Sequence, residues 1–299
     1  MNAARARLSD GRWHFQHGPI DIVIGADGEA DALDAAHAVA WARFETVLGE
    51  LVAELPLLRR PVRGPCPLQG AIAQRMWLAC RPYHARYITP MAAVAGAVAQ
   101  ELIGAYRRAG VRRAWVNNGG DIALHLADGE SARVGVFSDL AALDPRRIDD
   151  LPVDGAFAVD AAMPVRGIAT SGWRGRSHSL GIADSVTVLA KTAAMADAAA
   201  TMIANEVNLD DPRIERRPAC ELKDDSDLGE IPVTVHVPEL DAAQREAALA
   251  AGARRARELQ RDGLIHAALL VCQRAAARVE PAIRIDTDGA PRAVGSVFA

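Results

Sequence analysis

The feature that most constrains the fold is a strand that runs directly into a helix within residues 185–205. Residues 185–189 are mostly apolar and include β-branched side chains, a composition typical of a buried strand. Thr192 is a suitable helix N-cap, and residues 193–205 are rich in strong helix formers. The sequence therefore predicts a buried strand that feeds immediately into a helix.

Two polar residues, Asp197 and Thr201, lie four residues apart on the predicted helix. This spacing places the carboxylate and the hydroxyl on one face, so two oxygen atoms project from a rigid element toward the same place. Divalent cations such as Mg²⁺ prefer oxygen ligands of this type. The pair is therefore a candidate metal site. The alternative is structural, with Asp197 stabilised by the positive N-terminal end of the helix.

Composition indicates a folded protein without a nucleic-acid-binding surface. Hydrophobic residues make up 50% of the 299 residues and charged residues 24%, proportions typical of globular proteins. Only 4% are aromatic, so the core must use small aliphatic side chains. The net charge is −4 and the arginines are scattered along the sequence, which argues against a nucleic acid partner.

The cysteines and the apolar segments favour a cytoplasmic location. Cys66, Cys80, Cys220 and Cys272 are far apart and form no Cys-x-x-Cys pair, so we expect reduced thiols rather than a zinc site or disulfides. The longest apolar stretch without charge, residues 87–100, is shorter than the ~18 residues that a membrane span needs. We therefore expect no membrane association.

The length of the chain allows one large domain or two closely packed ones, and we expect a single domain over residues 1–280 followed by a C-terminal tail at 281–299. Besides the segments discussed separately, strands are predicted at 12–17, 21–25, 133–137, 156–159, 231–237 and 264–272, and helices at 30–55, 69–80, 91–110 and 240–261. The proline-rich segment 59–67 is predicted to be a loop, and the charged segment 210–230 an exposed excursion.

Residues 114–126 carry the pattern of a β-hairpin, with apolar alternation on both sides of Asn118-Gly119. Asn-Gly is a strong hairpin signal because both central residues of the turn must accept a positive φ. Gly120 and Asp121 extend beyond what such a turn needs, and paired glycines let a backbone approach a ligand closely. The segment is therefore either a tight turn alone or a turn that contacts an anionic ligand.

A small strand and a loop at residues 166–180 combine glycines, hydroxyls, arginines and one histidine. Glycines expose backbone donors, and Thr170 and Ser171 offer hydroxyls. Arg174 or Arg176 could pair bidentately with phosphate oxygens. The loop matches no P-loop motif. It is either a phosphate-binding loop or a solvated loop whose arginines face water.

Five segments occur in an order that resembles the ApbE superfamily: residues 116–121, 169–172, 178, 186–190 and 196–201. The order is more specific than any single motif, and the resemblance extends from residue 91 to residue 205. Known members are FAD:protein FMN transferases, formerly called thiamine biosynthesis lipoproteins. This chain is most similar to a short cytoplasmic branch.

The resemblance implies an α+β fold in which an antiparallel sheet packs with helices, of ApbE-like (T-fold-like) architecture, and it implies bound FAD and Mg²⁺. By this likeness Mg²⁺ bridges the FAD pyrophosphate to Asp197 and Thr201, with the main-chain carbonyl near Ala92 as a third ligand. The residues implied around the cofactor are Asn117, Gly119, Gly120, Asp121, Thr170, Ser171, Gly172 and His178. These segments are predicted to converge on a single cleft. No catalytic residue is assigned.

Two departures from the family pattern bear on catalysis. Residues 94–96 read Val-Ala-Gly, with Ala95 where the transferases carry a lysine. Residues 178–182 read His-Ser-Leu-Gly-Ile, with Gly181 where the transferases have an aspartate. The loss of a cation near the nucleotide and of an acid near the reacting phosphate weighs against FMN transfer. The retained metal pair and flavin loops favour binding.

Three functions are compatible with these observations. The first is Mg²⁺-dependent FAD binding with transfer of FMN to a protein hydroxyl or cleavage of the FAD pyrophosphate. The second is a catalytically inactive flavin-binding or cofactor-delivery protein that acts with a partner. The third is a different small-molecule enzyme on the same scaffold. The implied partners are a flavin nucleotide and an acceptor or partner protein, and a homodimer is left open.

Overall fold

A nine-stranded antiparallel sheet organises the fold in a computed structural model, whose described residues are 2–136, 155–175 and 177–280. In the order in which they pair, its strands are β1 (Ala4–Arg7), β2 (Trp13–His17), β3 (Ile20–Gly28), β4 (Val111–Asn118), β5 (Asp121–Leu126), β8 (Gly167–Ser171), β9 (Ser185–Ala190), β12 (Ala267–Cys272) and β13 (Ala275–Val279). Every neighbouring pair is antiparallel. The predicted α+β class with an antiparallel sheet is confirmed.

Two further antiparallel pairs lie outside the main sheet. They are β6 (Ser131–Val136) with β7 (Gly155–Asp160), and β10 (Glu215–Pro218) with β11 (Pro232–His236). The β6–β7 pair covers one face of the main sheet, because Val134 and Val159 share a buried apolar cluster with Ile122, Leu124 and Ile168. This cluster forms the smaller of the two main cores.

Helices cover the opposite face. They are α1 (Ala30–Ala53), α2 (Leu55–Leu58), α3 (Ala71–Cys80), α4 (Val94–Leu102), α5 (Ala193–Glu206), α6 (Ala219–Leu222) and α7 (Ala242–Arg261). α1 packs against β2 and β3, α4 against β4 and β5, α5 against β8 and β9, and α7 against β12 and β13. Since α5 also contacts α3, α4 and α7, it lies at the centre of the helical layer.

The predicted strand and helix at residues 185–205 are confirmed as β9 and α5. All six residues of β9 are buried, and the Thr192 hydroxyl caps α5 by accepting a 3.3 Å hydrogen bond from the Met195 amide. A Cβ at Gly167 would lie 2.1 Å from the Ala193 nitrogen, so only glycine lets β8 pass beneath the start of α5. The alanine-rich sequence of α5 thus serves close packing.

The continuous helix predicted at 91–110 is wrong, because the segment is divided into a 3-10 turn (Pro90–Ala93), α4 and a second 3-10 turn (Ile103–Tyr106). The backbone leaves helical geometry at Ala93, with φ of −129° and ψ of 14°. This break gives α4 its own N-terminus, whose first amides have no partner within the helix. Uniform alanine propensity concealed the break.

Other predictions met mixed outcomes. The excursion predicted at 210–230 is wrong in part, because residues 215–222 form β10 and α6. The edge strands β1 and β13 were missed, since each is short and borders the sheet on one side only. The predicted tail at 281–299 lies outside the described residues. Within the part of the chain that the structure describes, no helix is long and apolar enough to cross a membrane.

Candidate functional site

The β4–β5 turn lies one residue further along than predicted. Asn118 pairs with Asp121, so the two-residue loop is Gly119-Gly120 rather than Asn118-Gly119. Both glycines have positive φ, 65° and 113°, so the turn itself requires both. The Asn117 Oδ1 atom accepts a 2.9 Å hydrogen bond from the Gly120 amide. That amide is bonded within the turn, while Gly119 is exposed at its tip.

The turn is attached to the start of α4, and α4 is attached to α5. The Asn118 Nδ2 atom donates a 3.1 Å hydrogen bond to the carbonyl oxygen of Ala95. The Gly96 amide, one residue further on, donates a 2.9 Å hydrogen bond to Oδ2 of Asp197. These two bonds join the hairpin, α4 and α5 at one place, so the segments around residues 117 and 197 are brought together as predicted.

Gly96 is required by the close approach of α4 to α5. A Cβ at this position would lie 2.4 Å from the carbonyl oxygen of Ala193 and 2.9 Å from Cβ of Asp197. Both distances are far below van der Waals contact, so any side chain would force the helices apart. The glycine therefore sets the distance over which Asp197 receives the α4 amide.

Asp121 links the turn to β8. Its side chain is 7% exposed, and Oδ1 accepts a 3.2 Å hydrogen bond from the Thr170 amide. Burial raises the pKa of Asp121 to about 7, while the hydrogen bond from Thr170 acts in the opposite direction. The segments around residues 117 and 170 thus also meet, through this carboxylate.

Asp197 is a second carboxylate whose pKa is raised by its surroundings. Burial raises the pKa of Asp197 well above its ordinary value, and the nearby charge of Asp121 raises it further. The amides of Gly96 and Ala95 oppose the shift. Asp197 nevertheless keeps part of its surface accessible. Asp121 and Asp197 are thus two poorly solvated carboxylates that interact, and Asp197 is partly exposed to solvent. Such an arrangement favours binding of a cation.

Thr201 lies on the same helix as Asp197, and Ala92 lies on an element that packs against that helix. Thr201 is one turn further along α5 and is partly exposed. Ala92 belongs to the 3-10 turn Pro90–Ala93, which packs against α5. In the described residues no group of three His, Cys, Asp or Glu side chains is suited to a metal. A metal site here would therefore depend on one carboxylate, one hydroxyl and one carbonyl, all oxygen ligands.

The loop after β8 is more tightly bonded than a free phosphate-binding loop would be. The Thr170 and Thr187 hydroxyls lie 2.9 Å apart and share a hydrogen bond, and a Cβ at Gly172 would lie 2.3 Å from the Asp184 carbonyl oxygen. Nε of Arg174 forms a 3.0 Å ion pair with Asp184, so this guanidinium already has an anionic partner.

The remaining loop residues are only partly defined. Ser171 ends β8 and is partly exposed, as is His178. Arg176, the other arginine predicted to bind phosphate, lies outside the described residues. The hydroxyls of Thr170 and Ser171, at the end of β8, and the ring of His178 are among the groups that remain accessible to a ligand.

Packing explains why residue 181 is a glycine, where the resemblance leads one to expect an aspartate. A Cβ there would lie 2.0 Å from the Ala204 carbonyl oxygen and 2.8 Å from that of Val207, both at the end of α5. The segment is held in place because the Leu180 amide donates a 3.0 Å hydrogen bond to Oδ1 of Asn205. No aspartate could occupy position 181 on this backbone, so the acid is excluded by packing and not merely replaced.

Sequence analysis missed the residues that assemble the site. Asn118, the carbonyl of Ala95 and the amide of Gly96 connect the three segments, and Thr187 supports the loop from a buried strand. The pair of asparagines at 117–118 could have indicated such a contact, because the turn needs the side chain of Asn117 only. The Asn118 side chain is then free to bond elsewhere. Main-chain donors and acceptors leave no such signal.

Comparison with known proteins shows extensive similarity. A family model described as AbpE bacteria matches residues 5–282. A UPF0280 protein of Methanopyrus kandleri is 36% identical over 224 residues, which cover 72% of this chain and 83% of that protein. A UPF0280 protein of Methanosphaerula palustris is 34% identical over 200 residues, or 66% and 77% of the two chains.

Solved structures show a more distant likeness. The alignment with the crystal structure of the Pseudomonas stutzeri flavinyl transferase ApbE, in its apo form, covers 94% of each chain. Its TM-score is 0.45 and the sequence identity is 14%. The ApbE protein of Thermotoga maritima aligns over 94% of this chain and 96% of its own, with a TM-score of 0.39 and 12% identity.

Proposed function

This chain belongs to the family described as AbpE bacteria, and from that membership we propose that it binds FAD together with Mg²⁺ where α5, the β4–β5 turn and β8 meet. The observation that carries the proposal is the convergence of the three segments, because hydrogen bonds join Gly96 to Asp197, Asn118 to Ala95 and Thr170 to Asp121. Both carboxylates are poorly solvated. Like charges in such a setting repel strongly, so a divalent cation bound beside them would stabilise their ionised forms.

The proposed metal ligands are Asp197, Thr201 and the carbonyl oxygen of Ala92. They fit Mg²⁺ because they supply only oxygen, and because the Gly96 amide holds the Asp197 carboxylate in place. When bound, Mg²⁺ supplies positive charge that offsets the charge of the FAD phosphates. Mg²⁺ takes few protein ligands and keeps its waters otherwise, so its binding should depend on the nucleotide.

The proposed contacts to the nucleotide come from the β4–β5 turn and from the segment that includes the end of β8 and the loop after it. The turn offers an exposed glycine at its tip, and the loop after β8 offers hydroxyls and an imidazole. The residues that we propose to surround the cofactor are Asn117, Gly119, Gly120, Asp121, Thr170, Ser171, Gly172 and His178. Hydroxyl and backbone donors of this kind suit phosphate oxygens and need no additional arginine.

Binding without transfer is the function that we favour. Ala95 provides no cation at the start of α4, and the packing at Gly181 excludes an acid. The second candidate is transfer of FMN to a protein hydroxyl, or cleavage of the FAD pyrophosphate. It is favoured by the retained spacing of Asp197 and Thr201 on α5, since both reactions need a metal at the phosphates.

The test incubates the purified full chain with FAD, in Mg²⁺ and in EDTA, and measures protein-bound flavin by equilibrium dialysis and free AMP by chromatography. Bound FAD that depends on Mg²⁺, without AMP, is the expected result. AMP release accompanied by free or protein-linked FMN would establish the second candidate. Absence of flavin binding at millimolar FAD in both conditions would exclude both and favour a different enzyme on this scaffold.

The proposal extends to partners and location. A protein that binds FAD without transferring FMN would deliver the cofactor to a partner or act in a complex with one. We propose that it does so in the cytoplasm, where isolated thiols remain reduced. Its four cysteines are all unpaired, which is compatible with that location.

A further inference from the structure

A second cavity lies at the other end of the β4–β5 hairpin. Its volume is about 850 Å³, and the charged or polar side chains that line it are Glu29, Arg107, Arg108, Arg112 and His125. A volume of this size falls within the range of pockets that hold metabolites. Three arginines and one glutamate leave the lining with a net charge of +2 when the histidine is neutral, on a chain whose net charge is −4.

Within the described residues, no ion pair engages the three arginines of the lining. Other arginines are held by carboxylates, for example Arg43 by Glu50 and Arg113 by Asp27. Glu29, the carboxylate of the same lining, forms no ion pair with Arg107, Arg108 or Arg112 in the described part of the chain. A guanidinium group without an anionic partner is available to bind one bidentately.

The backbone around the cavity is tightly constructed. A Cβ at Gly28 would lie 2.2 Å from the carbonyl oxygen of Gly110, and the Glu29 amide donates a 2.8 Å hydrogen bond to that oxygen. The carbonyl of Arg112 accepts a 2.7 Å hydrogen bond from the Ala127 amide. The arginines therefore start from a rigid rim, which lowers the entropy cost of holding a ligand.

His125 lies within this positive region. Its Nε2 atom is 3.2 Å from the carbonyl oxygen of Val111, so that nitrogen must carry the donated proton. Burial lowers the pKa of His125, and the charges of Arg107 and Arg166 lower it further. The imidazole thus experiences the positive potential of the arginines near it.

The cavity is separate from the proposed FAD site. β4 spans seven residue steps from Val111, at the cavity, to Asn118, at the glycine turn. At about 3.3 Å per step the two ends are roughly 23 Å apart. A ligand held by the arginines would not reach Asp197 through the sheet.

From this geometry we propose that the cavity is a binding site for a small dianion, held by Arg107, Arg108 and Arg112. Phosphate esters and dicarboxylates share the required chemistry, because either presents two negatively charged oxygens to a guanidinium fork. The proposal is independent of FAD binding, since it uses none of the residues of that site.

The test titrates inorganic phosphate and succinate separately into the full chain by calorimetry, without added metal or chelator and at constant ionic strength. The variant is Arg108→Gln combined with Arg112→Gln. The matched control is Arg254→Gln combined with Arg257→Gln, two exposed arginines of α7 without an ion pair in the described residues. Circular dichroism and thermal unfolding establish that both double variants fold, which is expected because all four side chains are exposed.

We expect binding of one or both probes to wild type and to the control, and at least a tenfold loss in the Arg108 and Arg112 double variant. Preference for inorganic phosphate would identify phosphate as the recognised group, and preference for succinate would identify carboxylate. Equal affinity in both double variants, or no binding to wild type at millimolar probe, would overturn the proposal. Loss of binding in Asp197→Asn would also overturn it, by moving the anion to the FAD site.

Discussion

The amide of Gly96 donates a 2.9 Å hydrogen bond to the carboxylate of Asp197, so the residue proposed to bind Mg²⁺ also caps the neighbouring helix α4. The structural role that sequence analysis considered for Asp197 is therefore present, although it concerns α4 and not the helix that carries Asp197. A carboxylate has about four lone-pair positions, so a helix cap and a metal contact are compatible. Variants must separate the two roles.

Replacement of Asp197 by Asn separates them, because an amide oxygen can still accept the Gly96 bond while the charge is lost. If Asp197 holds Mg²⁺, the metal tightens FAD and FAD tightens the metal by the same factor. We expect Asp197→Asn to abolish this linkage and Thr201→Val, which removes a neutral ligand, to weaken it less. Calorimetric titration of FAD in Mg²⁺ and in EDTA measures the factor for each protein.

Asp224→Asn is the control for this experiment, since that carboxylate is exposed and distant in sequence from the site. It should retain the full linkage. If FAD binds wild type and Asp197→Asn with one affinity whether or not Mg²⁺ is present, the residue is only a cap. Asp197→Asn should then leave the stability of the free protein at neutral pH unchanged or raise it, because burial already disfavours the charge that the variant removes.

The stability of the ligand-free protein should decrease as pH rises through neutrality. The folded-state pKa of Asp121 is raised to about 7 from an ordinary value of 3.8, so folding is favoured while the carboxyl is protonated. That contribution is complete below about pH 4 and is lost as pH rises through about 7. Thermal unfolding of wild type between about pH 5 and 8 should show a fall that is smaller in Asp121→Asn.

Asp121→Asn can still accept the Thr170 hydrogen bond, so the comparison isolates ionisation. The raised pKa of Asp197 acts in the same direction, and part of the slope should remain in the variant. Addition of Mg²⁺ with FAD should reverse the fall in wild type if a cation neutralises the pair. If the thermal stability of wild type is constant or rises with pH over this range, the raised pKa of Asp121 is contradicted.

Local patterns in the sequence were sufficient for part of the fold and the site. The transition from β9 to α5 was predictable because a buried strand, a threonine cap and a run of alanines each favour it. The β4–β5 hairpin was also predictable from its glycines. Its register was not, because Asn118 forms a contact with the Ala95 carbonyl that a local turn preference does not include.

The rest depends on contacts between residues remote in sequence. The break in the helix before α4 cannot be recognised in an alanine-rich sequence. It nevertheless frees the Gly96 amide to donate a hydrogen bond to Asp197. The pKa of Asp121 depends on burial and on the hydrogen bond from Thr170 of β8, which no neighbouring residue in the sequence indicates. Arg174 forms an ion pair with Asp184, a contact that the residues next to it in sequence do not indicate. In each case tertiary packing overrides the local preference.

Restoring the family acid at position 181 should fail. In Gly181→Asp the Cβ atom would be forced to 2.0 Å from the Ala204 carbonyl oxygen, so the segment or the end of α5 must move. We expect a loss of about 1–3 kcal/mol or more from overpacking, seen in urea unfolding, and no gain of AMP release. Gly181→Ala should show most of the same loss. An aspartate variant as stable as wild type would show that the backbone is not a barrier to the acid.

The approach of α4 to α5 at Gly96 provides the sharpest test of the site's construction. Gly96→Ala places a methyl group 2.4 Å from the Ala193 carbonyl oxygen, so it should cost about 1–3 kcal/mol by overpacking and weaken FAD binding by displacing Asp197. The matched control is Gly49→Ala, a helical glycine of α1 with no atom near its Cβ position. This change should stabilise the protein by about 0.5–1 kcal/mol through helix propensity. Urea unfolding of both variants measures the contrast, and a Gly96→Ala variant as stable as wild type would mean that Gly96 does not set the distance between the helices.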